Sequence, residues 1–205
     1  MKGRFITIEG PDGSGKTTQI NLLKDYLEKE GYHVHLTREP GGTVISEKIR
    51  NLILSPENHD MCNMTEALLY AASRAQHVEQ KIKPLLEQGE VVICDRFVDS
   101  SVVYQGVARN LGIDNIEAIN SFATAGLVPD ITFLLYIDAE EGIKRKSEQQ
   151  TLDRLEGEKI EFHQTVCDGY KILAKKHADR IQFIDASKNI EDIHKEVLKL
   201  LETVL

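Results

Sequence analysis

The sequence has little cysteine and no framework for using it. Cys62, Cys94 and Cys167 are odd in number and widely scattered, so they define neither a disulfide scaffold nor a zinc spacing. They point to a reducing cytoplasm, and Cys94, inside an apolar run, to a small core residue. No apolar run nears the ~18 residues needed to span a bilayer, and the first strand is entered without a basic-then-apolar leader. An excess of positive charge is missing too. The net charge of −8 argues against a surface that coats polyanions, so any nucleotide site must be a local basic pocket. Of the seven histidines, His33 and His35 alternate as on a strand and none falls in an HExxH pattern, and there is no nucleophile elbow. Repeats, linkers and low-complexity tracts are absent as well. What remains is a chain of 205 residues with 41% apolar and 28% charged side chains. That is the profile of a single ordinary domain, 1–205, with a substantial core.

One stretch organises the rest. Phe5-Ile6-Thr7-Ile8 is an apolar, β-branched strand pattern. It runs into Glu9-Gly10-Pro11-Asp12-Gly13-Ser14-Gly15-Lys16-Thr17-Thr18, which contains the P-loop spacing and then turns helix-periodic at Ile20, Leu22, Leu23 and Leu27. Glycines let the backbone curl and aim its N–H groups inward, and the helix start adds the positive end of its dipole. Lys16 then reaches the outer phosphates of a nucleoside triphosphate, and the Thr17 hydroxyl can take Mg²⁺. The motif does not say what receives the phosphoryl group.

Further strands are expected at Val34–Thr37, Val91–Cys94, Ile131–Ile137 and Ile181–Ile184. Helical patterns lie between them, at Ile45–Leu54, Thr65–Gln88, Ile113–Ala125, Glu140–Lys146, Lys159–His177 and Ile190–Val204. Thr65 is a weak cap, Gly89 a stop, and Pro84 predicts a kink or break. Strict alternation of strand and helix argues an α/β fold, a parallel sheet covered on both faces. Ligands of such sheets bind beyond the carboxyl ends of strands. That rule gathers Gly10–Thr17, Arg38, Asp95, Arg96 and Asp185 on one rim.

Asp95 ends an apolar strand as a Walker-B aspartate does, suited to Mg²⁺ directly or through water; the alternative is a turn cap. Arg38 and Arg96 suit a second anion, against the alternative of surface ion pairing. Tyr70 and Arg74 share a helix face and could stack on and bond to a base; spacing alone makes Tyr70 core and Arg74 surface. Ser101, Tyr104 and Gln105 are in the same position. Lys144, Arg145, Lys146 and Arg154 flank a polar, glycine-containing segment, either a lid over the triphosphate or a solvated helix end.

Taken in order, these motifs resemble bacterial thymidylate kinases from end to end. Matching stretches are the P-loop, Thr37-Arg38-Glu39-Pro40-Gly41-Gly42-Thr43, Tyr70-Ala71-Ala72-Ser73-Arg74, Asp95-Arg96-Phe97-Val98-Asp99-Ser100-Ser101, Tyr104-Gln105-Gly106, Pro129-Asp130 and Leu152-Asp153-Arg154. The resemblance implies a three-layer α/β/α P-loop fold with five parallel strands in the order 2-3-1-4-5 and a short lid at about 146–158. It implies transfer of the ATP γ-phosphoryl to dTMP with Mg²⁺ at Thr17 and Asp95, a cis Glu39–Pro40 bond and a homodimer. By position, Gly10–Thr17 with Lys16 hold ATP, and Asp12 lies near the acceptor sugar. Arg38 and Arg96 grip the dTMP phosphate, Tyr70 stacks on thymine, and Arg74 bonds its carbonyl edge. Ser101 and Gln105 line the base pocket, Tyr104 lies beneath the deoxyribose, and Arg50 nears the mouth. Two departures stand out. Phe97 replaces a usual tyrosine, and Gly13 occupies the position where some members carry a P-loop arginine. The others supply lid arginines, but here the lid reads Ser147-Glu148-Gln149-Gln150. Arg145 is then the first choice for transition-state charge, with Arg154 next and Lys146 also in reach. The rival readings are a kinase for another pyrimidine mononucleotide or a deoxynucleoside, or a P-loop switch.

Overall fold

The computed structural model describes residues 3–146 and 153–204, with the Lys146 side chain outside the described set. Its strands are β1 (Arg4–Glu9), β2 (Val34–Arg38), β3 (Val91–Asp95), β4 (Ile131–Tyr136) and β5 (Ile181–Asp185). All pair in parallel, in the order β2-β3-β1-β4-β5. Each β-branched run expected from the sequence is therefore a strand of one five-stranded parallel sheet.

Between the strands lie α1 (Lys16–Lys29), α2 (Val44–Leu54), α3 (Asn63–His77), α4 (Lys83–Glu87), α5 (Val98–Ser101), α6 (Ile113–Ala123), α7 (Ala139–Lys146) and α8 (Ile160–Lys176), and α9 (Ile190–Leu201) follows β5. One core lies between the sheet, α1 and α9, where Ile8, Leu23, Phe133, Ile184 and Val197 are fully buried. A second joins Val103, Ile116 and Leu134 to Val166, Tyr170 and Leu173 of α8. A third sets Phe5 edge-on to Phe97 at 4.9 Å. Each such side chain contributes roughly 1.5–3 kcal/mol by leaving water.

Several boundaries depart from the sequence pattern for local reasons. The helix assigned to Thr65–Gln88 starts at Asn63 with Cys62 in the cap position, and Thr65 falls in its first turn. Ahead of Pro84, Val78–Ile82 widens into a π-helical stretch before α4. Proline has no N–H to give and its ring crowds the preceding turn, so the helix loosens there rather than stopping. Gly89, at φ 86°, then ends it. Helix α6 stops at Ala123 rather than Ala125, because Ala125 (φ 48°) and Gly126 (φ 75°) are both left-handed. A second π-helical stretch, Val102–Ala108, follows α5 and carries Tyr104 and Gln105.

The expected lid is only partly visible: Ser147-Glu148-Gln149-Gln150 and Leu152 lie outside the described residues. No helix among those described is long and apolar enough to cross a membrane.

Candidate active site

Strand register builds the site. Arg38 is level with Asp95, and Asp95 with Ile8. The ends of β2, β3 and β1 thus deliver Arg38, Asp95-Arg96 and the P-loop side by side. The backbone is stitched at that edge, with Glu39 N donating to Asp95 O at 3.0 Å and Arg96 N to Ile8 O at 2.9 Å. Beyond it opens a cavity of about 410 Å³, lined by Lys16 and Thr17 of the P-loop and by Arg38, Tyr70, Arg96 and Gln105.

On the P-loop side, Gly10, Gly13 and Gly15 hold φ of 143°, 77° and 84°, a range in which a side chain is strained. Space also matters at Gly13, where a Cβ would stand 2.2 Å from the Gly142 carbonyl of α7. The P-loop and α7 touch backbone to backbone, so an arginine at Gly13 has no room in this arrangement. Lys16 bends over its own loop and donates to Gly10 O (3.1 Å) and Pro11 O (2.9 Å). Burial, with help from the Arg96 charge, pushes its pKa down to about 8.

Arg96 sits at φ 63°, unusual for a residue with a Cβ. Its guanidinium donates to Gly10 O, Ser100 Oγ and Tyr170 Oη through Nη1 and pairs with Asp12 through Nη2 at 2.9 Å. It also lies 5.4 Å from the Tyr104 ring centroid. Behind it, Glu9 is fully buried and accepts from Phe97 N (2.7 Å), Ser100 N (3.2 Å), Ser100 Oγ and Tyr170 Oη (3.1 Å). Burial, and then the nearby Asp99 charge, raise the Glu9 pKa to about 7 against these hydrogen bonds.

Arg38 is anchored at the rim by Glu47 (3.0 Å) and by the Pro40 carbonyl (2.9 Å), which also takes Arg50 at 2.9 Å. The Glu39–Pro40 bond is cis. Arg74 is 1% exposed, which reverses the surface placement that spacing suggested. Its guanidinium donates to Glu39 (2.6 Å), Ser101 Oγ (3.0 Å), Asn120 Oδ1 and Phe97 O (2.9 Å). Tyr70, expected in the core, is only half-buried and lines the cavity.

Known proteins can now be set beside this geometry. A family model described as thymidylate kinase matches residues 8–197. The chain belongs to the thymidylate kinase family. It is 48% identical over 207 residues to the thymidylate kinase of Bacillus pumilus, covering 100% of this chain and 98% of that protein. Identity is 50% over 205 residues to that of Caldanaerobacter subterraneus, with 100% and 98% covered. Among solved structures, thymidylate kinase from Ehrlichia chaffeensis superposes with a TM-score of 0.79 at 37% identity, covering 98% of this chain and 99% of that one.

Of the residues that the family resemblance picks out, Asp12, Lys16, Thr17, Arg50, Ser101 and Tyr104 line the same cavity. Arg74, Asp95 and Arg145 do so too. Arg154 does not. It pairs with Glu66 at 2.6 Å and donates to Ile53 O at 2.8 Å, against α3 and the end of α2. Asp185 is exposed and caps Ser187 at the opposite end of the rim.

Sequence reasoning passed over the buried carboxylates. Glu9 ends the apolar strand β1 and Glu39 directly follows β2, a visible signal, but their partners come from distant segments. Glu39 joins Arg74 to His77, which in turn bonds Thr37 Oγ1 at 2.7 Å. Glu66 holds Gln105, Arg109 and Arg154. None of this is periodic in sequence.

Proposed function

We infer that this protein transfers the γ-phosphoryl group of ATP to dTMP, giving dTDP and ADP for dTTP synthesis. One observation carries the reading. A single cavity of about 410 Å³ is lined by the P-loop lysine and by two arginines, Arg38 and Arg96, and Lys16 and Arg96 both donate to the Gly10 carbonyl, at 3.1 and 3.0 Å. Cations from the P-loop and from two other strand ends in one cavity suit a triphosphate donor and a monophosphate acceptor meeting end to end. Neither a switch nor a deoxynucleoside kinase has support from the family assignment.

The roles follow from position and charge. Gly10 through Thr17 and Lys16 hold the donor phosphates. Arg38 and Arg96 hold the acceptor phosphate in forked hydrogen bonds. Tyr70 stacks on the base, Arg74, Ser101 and Gln105 read its edge, and Tyr104 packs beneath the sugar. Arg50 closes the mouth, and Asp12 sits at the meeting point. The acceptor phosphate is already ionised at neutral pH, so no general base is required. The step is an in-line displacement at phosphorus, and the protein supplies position and charge.

The residues present fit Mg²⁺. Asp95 Oδ1 is buried with no hydrogen-bond partner among the described residues, and the Thr17 hydroxyl lines the same cavity. Both are hard oxygen donors, and we assign them to hold the ion directly or through water. When bound, Mg²⁺ neutralises charge on the transferring phosphates. For the remaining transition-state charge we assign Arg145, which lines the cavity from α7 although it also pairs with Glu141 and donates to Ala186 O, both at 3.1 Å; Arg154, held by Glu66, does not line it.

We further propose that residues 1–205 act as a single domain and a homodimer in the cytoplasm. Exposed apolar side chains on α2 (Leu52), α3 (Met64, Leu68) and α6 (Phe122) support the dimer. The free thiols of all three cysteines suit a reducing compartment. The test of activity is ADP release with dTMP, dUMP, dCMP and thymidine side by side. The expected order puts dTMP first and thymidine at background. Preference for thymidine would leave Arg38 and Arg96 without their role and overturn the reading. Light scattering in solution decides the dimer.

A further inference from the structure

Glu66 is 1% exposed, in the first turn of α3. One and two helical turns on stand Tyr70 and Arg74, the base-facing side chains of the same helix. Its Oε1 accepts from Gln105 Nε2 at 2.9 Å. Its Oε2 faces two guanidiniums, Arg154 at 2.6 Å and Arg109 at 3.3 Å. Gln105 lines the cavity, is itself 1% exposed, and its Oε1 is buried with no partner among the described residues.

An amide side chain has two ends of almost equal size and opposite hydrogen-bonding character. Which end faces a ligand is decided by what holds the other. A carboxylate braced by two guanidiniums has no proton to give, so it accepts only. Turning the Gln105 amide over would set two oxygens against each other in a buried site, an arrangement costly enough to exclude. The Arg74 guanidinium contributes the matching half. It has five N–H groups, and four are taken by Glu39, Ser101, Asn120 and Phe97. One donor on Nη2 is left over among the described residues, and Arg74 is one of the residues lining the cavity.

We propose that Glu66 is a positioning residue for base selection: by holding the Gln105 amide nitrogen it fixes the amide oxygen as the acceptor at the pyrimidine wall, alongside the spare donor of Arg74. One acceptor and one donor match a pyrimidine with a protonated N3 next to a carbonyl, as in thymine and uracil. They mismatch cytosine, which offers an unprotonated N3 and an amino group. Glu66 never touches the base. The inference rests on the reading of this cavity as the dTMP site.

The experiment compares kcat/KM for dTMP and dCMP, at saturating ATP, in wild type, Glu66→Gln and Arg109→Gln. The amide introduced by Glu66→Gln would present either an oxygen or a nitrogen to Gln105, so the Gln105 amide is free to turn over. In Glu66→Gln the dTMP-over-dCMP ratio falls at least about tenfold, with dTMP losing and dCMP gaining, while KM for ATP stays within about twofold. Arg109→Gln keeps the ratio. In a Gln105→Ala background, adding Glu66→Gln changes the ratio no further, because the effect runs only through that amide. Should Glu66→Gln not fold, Glu66→Gln/Arg109→Gln restores charge balance and is read in the same way. A ratio unchanged within about twofold, or equal losses for both acceptors, overturns the proposal. A wild type that shows no preference for dTMP overturns the underlying function instead.

Discussion

The donor and acceptor walls of the cavity meet at the Gly10 carbonyl, which takes both Lys16 and Arg96, but are built on different plans. The donor wall is a run of eight consecutive residues, Gly10–Thr17, whose binding groups are mostly backbone N–H. The acceptor wall is gathered from the end of β2, from α3, from the turn after β3 and from the π-helical stretch after α5. Its cations are held by carboxylates: buried Glu39 on Arg74 and half-buried Asp12, from the P-loop itself, on Arg96, with buried Glu9 behind. A contiguous loop fails one group at a time. A wall of shared partners fails as a unit, because removing one side chain strands the others without partners.

The sharpest break in this comparison lies between the walls, at the transferring phosphoryl group. Arg145→Ala should lower kcat about 10³-fold or more, measured by ADP release at saturating substrates. If instead Arg145→Ala turns over near wild type and Arg154→Ala is dead, the charge comes from the other flank of the lid. On the acceptor wall, Arg96→Ala should raise KM for dTMP about 10²-fold with little change in KM for ATP. A matched rise in both constants would mean the two walls are one unit. On the donor wall, the depressed Lys16 pKa gives a pH limb. Only the protonated amine attracts phosphate, so kcat/KM for ATP should fall about tenfold per unit above pH 8. A flat profile to about pH 9.5 would remove Lys16 from donor binding.

The smallest expected effect concerns Glu9. Its pKa is higher folded (about 7) than its ordinary 4.5, so the native state holds the extra proton between those values. Stability from this group is present at low pH and lost as pH rises through that window. Glutamine does not titrate. The wild-type advantage in Tm over Glu9→Gln should therefore shrink by several degrees from about pH 5 to about pH 7.5. An advantage that grows with pH would show Glu9 ionised throughout.

The donor wall and the sheet were legible from sequence because their signals are local. Glycines at fixed offsets, Lys16, and β-branched runs between helical periods each act over a few residues. Arg74 shows where this stops. Helical spacing placed it on the surface, yet its guanidinium is buried among Glu39, Phe97, Ser101 and Asn120, gathered from distant parts of the chain. A charged residue can go inside only when partners meet it there, and no periodicity reports partners 23 to 46 residues away. The same holds for Glu66, which reads as a first-turn helix carboxylate until Gln105, Arg109 and Arg154 arrive around it.

By itself, the sequence determined a parallel α/β sheet and a phosphate cradle at the end of its first strand. Backbone conformation and strand patterning are short-range matters, settled by residue type and spacing. Only the tertiary structure decided which carboxylate braces which arginine, which end of the Gln105 amide Glu66 holds, and that Arg145 rather than Arg154 lines the cavity. Those choices depend on side chains meeting after the chain has returned on itself, in a buried space where each charge and each polar atom must find its partner.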